Sequence, residues 1–313
     1  MTVMWFILAL VAMLCWSGSD LFSKIGSRPD DKHSHWKMVI AVGMVMGIHA
    51  MVSIFGLGVR VTLNDMIRYL PASAFYISSM ILGYIGLRYI ELSVSSPICN
   101  CSGAASSLFL LIFFFKMTGI EDNMTLVGTI LGIAFCAVGV LSLGIVEAKE
   151  DEELKALRRE KTNVKYTKSI LAILLPVLYL ILDAGGTVAD AFILETMDEE
   201  VANTAYELTF CLSAFVAAVY LAVRMFVKKE KIFYVSREWP KLAGGVFETA
   251  GQFAYVYAIA GNAVAAAPII SCYCAVSVLW GRIFLKEKLS WRHYVAILIA
   301  VIGIAIMGIF GGD

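Results

Sequence analysis

Charge is scarce in this sequence. Of 313 residues only 16% are Asp, Glu, Lys or Arg, against roughly a quarter in soluble domains. Acids and bases balance at 25 each, for a formal net charge of zero. A chain without a basic field has no electrostatic hold on nucleic acid, so that class of partner is excluded. Histidine is scarcer still, with four copies. His33 and His35 share a polar connection and His293 opens an apolar run. No His-Glu-x-x-His, Gly-x-Ser-x-Gly or phosphate-loop pattern occurs, so a membrane-embedded enzyme would lack its machinery. No polar stretch is long enough for a soluble domain, which counts against ATP-driven transport and a receptor role. The cysteines (Cys15, Cys99, Cys101, Cys136, Cys211, Cys272 and Cys274) all fall in apolar runs. Both Cys-x-Cys pairs project about 200° apart on a helix. They read as small apolar residues, with no metal and no cofactor implied.

What the chain has is apolar length. It is 60% hydrophobic, with a mean hydropathy of +0.80. A bilayer span takes roughly 20 mainly apolar residues. Ten such runs can be marked, at 3–24, 37–58, 68–90, 93–116, 124–145, 169–191, 203–226, 239–260, 263–285 and 293–310. Lipid cannot satisfy an open backbone and the runs are too long for barrel strands, so they are helices. The N-terminal run has no basic residue before it, and Lys24, Arg28 and Lys32 follow it, so it reads as a retained helix rather than a signal peptide. The long polar interruption, 147–168, mixes both signs of charge and reads as a cytoplasmic linker between halves 1–146 and 169–313.

The halves look like copies. A shift of 171 lays Pro97 on Pro268, Cys101 on Cys272 and Tyr84 on Tyr255. "LSVSSPICNCSGAASSLF" then overlays "NAVAAAPIISCYCAVSVL", with small residues before each proline. Five helices per half is odd, so the second copy must be inverted. Basic residues crowd the odd-numbered connections, and the even-numbered ones carry only Arg60, Arg68 and Lys116. The positive-inside rule makes the odd connections cytoplasmic and both termini external. Trp36, Trp239, Trp280 and Trp291 sit near that same face, as an interfacial belt does. The expected fold is an all-α integral membrane protein of ten transmembrane helices in two inverted five-helix repeats.

Ionisable residues deep in such helices are costly unless paired or facing water. Asp183 lies well inside helix six, and Asp190 shares its face nearer the outer end, with Gly186 and Thr187 between them. Helix eight carries Glu248, Gln252 and Tyr255 as a polar stripe. Helix seven adds Asn203 and Glu207; helix four adds Ser96, Asn100, Gly103 and Ser107 beside Pro97; Tyr273 follows Pro268 as an aromatic wall. Each proline frees a backbone carbonyl that a cavity can use. Asp20 and Lys24 in helix one are an interfacial ion pair or a gate. Asp190 and Glu207 are solvated rim charges or functional ones, with Asp190 expected at the outer mouth of a wet crevice. His49, deep in helix two, is a structural hydrogen-bonder or a proton exchanger. Asp183 and Glu248 outnumber deep bases, which favours a cationic or zwitterionic substrate or proton coupling. Gly43/Gly47 and Gly128/Gly132 give close helix packing, within a monomer or between copies of a homodimer.

Two inverted five-helix halves, the prolines of helices four and nine, "CWSGSDLFSKIG" in helix one and "FLKEKLS" within the turn "IFLKEKLSWRHY" together resemble the drug/metabolite transporter superfamily, and within it the EamA-like transporters. Glu287 stands where that family carries an acidic residue; in the first half "FFFKMTG" offers Met117 instead. The resemblance implies a multi-pass protein of the cell membrane. It also implies secondary transport or exchange of a small organic molecule through a central cavity. The family's substrates span amino acids, sugars, nucleobases and choline-like cations, so neutral solutes stay open.

Overall fold

A computed structural model describes residues 4–26, 31, 33–89, 100–150, 171–229, 238–284, 286 and 289–311. Among the described residues the chain is helical, without strands. The helices are α1 (Met4–Gly26), α2 (Ser34–Phe55), α3 (Leu63–Tyr89), α4 (Ser102–Phe113), α5 (Asn123–Glu150), α6 (Leu171–Ile193), α7 (Glu199–Lys228), α8 (Trp239–Ser271), α9 (Tyr273–Phe284) and α10 (Trp291–Phe310). Several starts are written locally. Asp198 caps α7 by accepting from the Glu200 and Val201 amides, and Asp122 does the same for Met124 and Thr125 at α5. Ser290 and His293 form a capping box at α10. At the other end, α5 runs to Glu150, beyond the start expected for the linker; 151–168 lies outside the described residues.

The molecule is apolar outside and polar within. Met44, Ile48, Met51 and Phe55 of α2 are exposed, as are Leu212, Phe215, Val219 and Phe226 of α7. Ser17, Ser79, Ser106, Thr187, Asn203 and Gln252 are buried. A protein dissolved in water does not arrange itself so; one facing lipid does. Among the described residues six helical stretches are long and apolar enough to cross a membrane: Met4–Gly26, Ser34–Phe55, Asn123–Val146, Glu199–Lys228, Trp239–Phe284 and Trp291–Phe310. Of the expected tryptophan belt, Trp239 and Trp291 are exposed. Trp280 instead turns inward and donates to the Ser17 hydroxyl at 2.9 Å.

Helices pack as α1 on α8, α2 on α7, α3 on α6 and α5 on α10, with α4 crossing α8 and α6. Small residues set the closest of these. A Cβ at Gly43 would lie 2.2 Å from the Ala214 Cβ, and one at Gly139 would lie 2.5 Å from the Ala300 amide nitrogen. The glycine spacings therefore serve packing within the chain.

Two breaks interrupt the helical runs. At Asn262 the backbone is extended, and Cys272 separates α8 from α9. Between them Pro268 has no N–H to give the Val264 carbonyl four residues back. The Ser107 hydroxyl of α4 fills that vacancy at 2.8 Å. Ser107→Ala should strand that buried carbonyl and cost about 1–3 kcal/mol. A lower melting temperature of the purified variant checks this; an unchanged one contradicts it.

On the face where the odd-numbered connections lie, four charges close into a ring. Lys37 Nζ is 2.8 Å from both Asp31 and Glu238. Lys241 Nζ is 2.8 Å from Glu238 and 3.6 Å from Asp31. The ring ties the α1–α2 connection and α2 to the start of α8. Burial pushes the Asp31 carboxyl up, but hydrogen bonds from Lys37 and the His33 amide, with the charges of both lysines, outweigh it. Asp31 ends below its ordinary 3.8. Glu238 is likewise raised by burial, then carried below its ordinary 4.5 by the same two lysines. Depressed folded values mean the ring stabilises fully above about pH 5 and loses that contribution as pH falls through the folded values. Melting temperature should therefore drop below pH 4.5. The double variant Asp31→Asn, Glu238→Gln should melt lower at pH 7 and show a shallower acid slope. An equal slope would contradict the assignment.

Candidate functional site

The break at Cys272 adjoins a group of polar residues, whereas the one at Asn262 lies against Gly311 at the end of α10. Asp183, from α6, accepts from the Ser102 hydroxyl at 2.6 Å and from Ser79 at 3.3 Å. Ser102 is the first residue of α4. The carboxyl thus faces the positive end of a helix dipole, worth roughly 0.3–1 kcal/mol to a carboxylate. Glu248, from α8, accepts from Ser19 of α1 and is within electrostatic reach of Asp183 and Asp20. Both carboxyl residues are half-buried. The salt bridges among the described residues lie elsewhere, at Lys37, Lys241 and His49.

Aromatic rings stand beside these acids. The Trp16 indole of α1 stacks on Tyr255 with centroids 5.1 Å apart and planes at 27°, and meets Tyr273 edge-on at 6.3 Å. Gly251 makes room for it, since a Cβ there would lie 2.4 Å from the indole. The Tyr273 hydroxyl reaches across the α4–α9 seam and donates to the Asn100 side-chain amide oxygen, Oδ1, at 3.4 Å. Gln252 is buried on the same stripe as Glu248, and its amide nitrogen has no hydrogen-bond partner among the described residues. Two carboxyls, three aromatic faces and an uncommitted amide donor can hold a cation and orient a second polar group.

Toward the C-terminal end of α6 from this group lies a buried hydrogen-bonded layer. Tyr76 and Tyr255 bond to each other through their hydroxyls, and Thr187 lies 3.1 Å from the first and 3.4 Å from the second. Further along, Tyr69 donates to Asp190 at 2.5 Å. Asp190, expected at a wet outer mouth, is instead fully buried beneath this layer. Glu207, weighed as a rim charge, is fully buried too. It does not join the central group, because its face of α7 turns to α2, where His49 Nδ1 lies 2.8 and 2.9 Å from its two oxygens. Depth along a helix is readable from sequence; rotation about its axis is set by packing.

Of the other expected residues, Asp20 is half-buried near Glu248 and Lys24 stands in the last turn of α1. Pro268, expected within helix nine, instead lies in the terminal turns of α8, which runs on to Ser271. Ser96, Pro97, Cys99 and Glu287 lie outside the described residues, as does the side chain of Tyr84. Sequence reasoning passed over Trp16, Ser19, Ser79, Ser102, Tyr69 and Tyr76. The signal for Trp16 was present: an indole inside "CWSGSD", among small residues, with a glycine at position 251 to receive it.

Residues 167–309 match the model of the EamA-like transporter family. No curated protein matches this chain. A solved crystal structure aligns with a TM-score of 0.68 at 14% identity, covering 96% of this chain and 95% of the other. At that identity the likeness is one of fold alone, but it extends across both halves. Apolar exterior, polar interior and family match agree on a multi-pass membrane protein. Over residues 167–309, the second half of the chain, the sequence is similar to the EamA-like transporter family.

Proposed function

We propose that the protein is a secondary transporter of the cell membrane that exchanges a small organic cation or zwitterion, such as an amine or amino acid, by alternating access. Its ten spans form two inverted five-helix repeats, and the substrate binds between them. Helix positions support the repeat: α4 and α9 are each 12 residues long, and both starts (273 − 102) and both ends (284 − 113) differ by 171. Cys101 and Cys272, immediately before them, have nearly the same backbone, at φ −90°, ψ 2° and φ −73°, ψ 3°. The packing pairs support it as well. Exchanging the halves turns α1 on α8 into α6 on α3, and maps α2 on α7 and α5 on α10 onto themselves.

The observation that carries the substrate reading is the Asp183–Glu248 pair beside Trp16, Tyr255 and Tyr273. A cation placed there meets carboxylates at an effective dielectric well below that of water, where one contact at 4 Å is worth about 4 kcal/mol. A neutral sugar or nucleobase gains no such term. A thermal-shift screen of amines, amino acids, sugars and nucleobases on the purified protein tests this, followed by counterflow in proteoliposomes. Cationic or zwitterionic solutes should stabilise the protein and exchange. Stabilisation and exchange by sugars or nucleobases alone would overturn the substrate class, and absence of counterflow by any solute would overturn transport.

A further inference from the structure

The central site leaves one ionisable pair unused, His49 of α2 with Glu207 of α7. Glu207 is 0% exposed while the His49 side chain is 35% exposed. Both Glu207 oxygens lie within 2.9 Å of one ring nitrogen, and the Asn203 amide donates to Oε1 at 3.1 Å. The imidazole meets Phe253 of α8 edge-on at 5.8 Å. On a helix of 3.6 residues per turn Phe253 lies about 140° round from Glu248 and about 160° from Tyr255. The pair is therefore on another side of α8 from the substrate site.

The neighbouring titratable groups are Cys211 of α7, whose sulfur lies over Gly47, and Glu200 toward the outer end of the same helix. On α8 stands Tyr257, 5.0 Å from Phe253. On α3 are Tyr69 and Tyr76, engaged with Asp190, Thr187 and Tyr255. None is a cation, so charge balance at Glu207 rests on His49. With one proton more than a neutral imidazole and a carboxylate, the pair is electrically neutral; removing that proton leaves a buried negative charge and adding another leaves a positive one. The full burial of Glu207 penalises leaving its charge uncompensated. The proton is thus held while α2 and α7 are packed, and set free only when they part.

We propose that the His49–Glu207 pair is the proton-carrying site of this transporter, physically separate from the substrate site. The inference rests on the transport reading above, because α2 and α7 belong to different halves and only relative motion of the halves separates them. On separation water reaches the imidazole and accepts its proton; repacking requires a proton to be taken up again, and the side on which each occurs couples the gradient to transport.

The test uses full-length protein in proteoliposomes, with radiolabelled choline and radiolabelled lysine as probes. Two assays run side by side: counterflow at equal pH, and uptake driven by a pH gradient. In His49→Gln and Glu207→Gln, counterflow should stay within about twofold of wild type while gradient-driven uptake falls at least tenfold. The double variant His49→Leu, Glu207→Leu removes both charges at once, so it leaves no buried ion unpaired and should behave as the single variants do. Gradient-driven uptake that survives in the double variant overturns the proposal. So does a wild-type protein whose uptake ignores the gradient although counterflow proceeds, which leaves the substrate site standing. Failure of both assays in the wild type removes the transport reading for these solutes and this inference with it.

Discussion

Glu248→Gln should cut exchange of an organic cation at least tenfold, with the melting temperature unchanged or raised. The amide keeps the shape of the side chain and can still accept from Ser19. What it loses is the negative charge beside Asp183, and a tenfold loss corresponds to only about 1.4 kcal/mol. Stability does not suffer, because Asp183 and Asp20 act on Glu248 as like charges and the substitution relieves that repulsion. The outcome thus separates a binding carboxyl from a structural one. A structural carboxyl would lower the melting temperature and leave exchange proportional to folded protein. Exchange equal to wild type would remove Glu248 from the site.

The second large effect is steric. A Cβ at Gly103 would lie 2.2 Å from both the Ala267 carbonyl oxygen and the Ser271 hydroxyl oxygen, where α4 crosses the end of α8. One of those atoms is backbone, so a rotamer change cannot clear it, and the crossing must open. Overpacking of this kind costs typically 1–3 kcal/mol. It would also displace the Gly103 amide from the Ser271 hydroxyl, 3.1 Å away, and pull Ser102 from Asp183. Gly103→Ala should therefore melt several degrees lower and exchange poorly. Gly244→Ala, whose nearest neighbour would be 3.4 Å away, is the control and should be near neutral. Equal melting temperatures for the two would contradict the packing argument.

Much of the architecture was legible beforehand because bilayer thickness forces long apolar runs. The boundary placed between 260 and 263 falls on the extended Asn262, and the proline in "AAAPII" lies just before the break at Cys272. Asp183, Glu248 and Tyr273 were legible as costly or bulky groups in the wrong solvent. Partners were not. That Glu207 faces His49 rather than the cavity, and that Asp190 lies beneath Tyr69, depends on helix rotation, which a hydropathy pattern leaves open when helices are apolar on every side. The ring of Asp31, Lys37, Glu238 and Lys241 escaped for a different reason. Each residue sits at a helix end, where charges are ordinary, and only the meeting of two connections makes them a cluster.

The proposed exchange requires that Asp183 and Glu248 line a chamber open to water between the two halves. Its most direct measurement is chemical. With the native cysteines replaced, Asn100→Cys places a thiol beside Tyr273, and a membrane-impermeant, positively charged methanethiosulfonate reports whether water reaches it. The account predicts modification from one face of the membrane, slowed by a stabilising substrate. A thiol inert from both faces, in protein that still folds, would mean a dry interior and would contradict it.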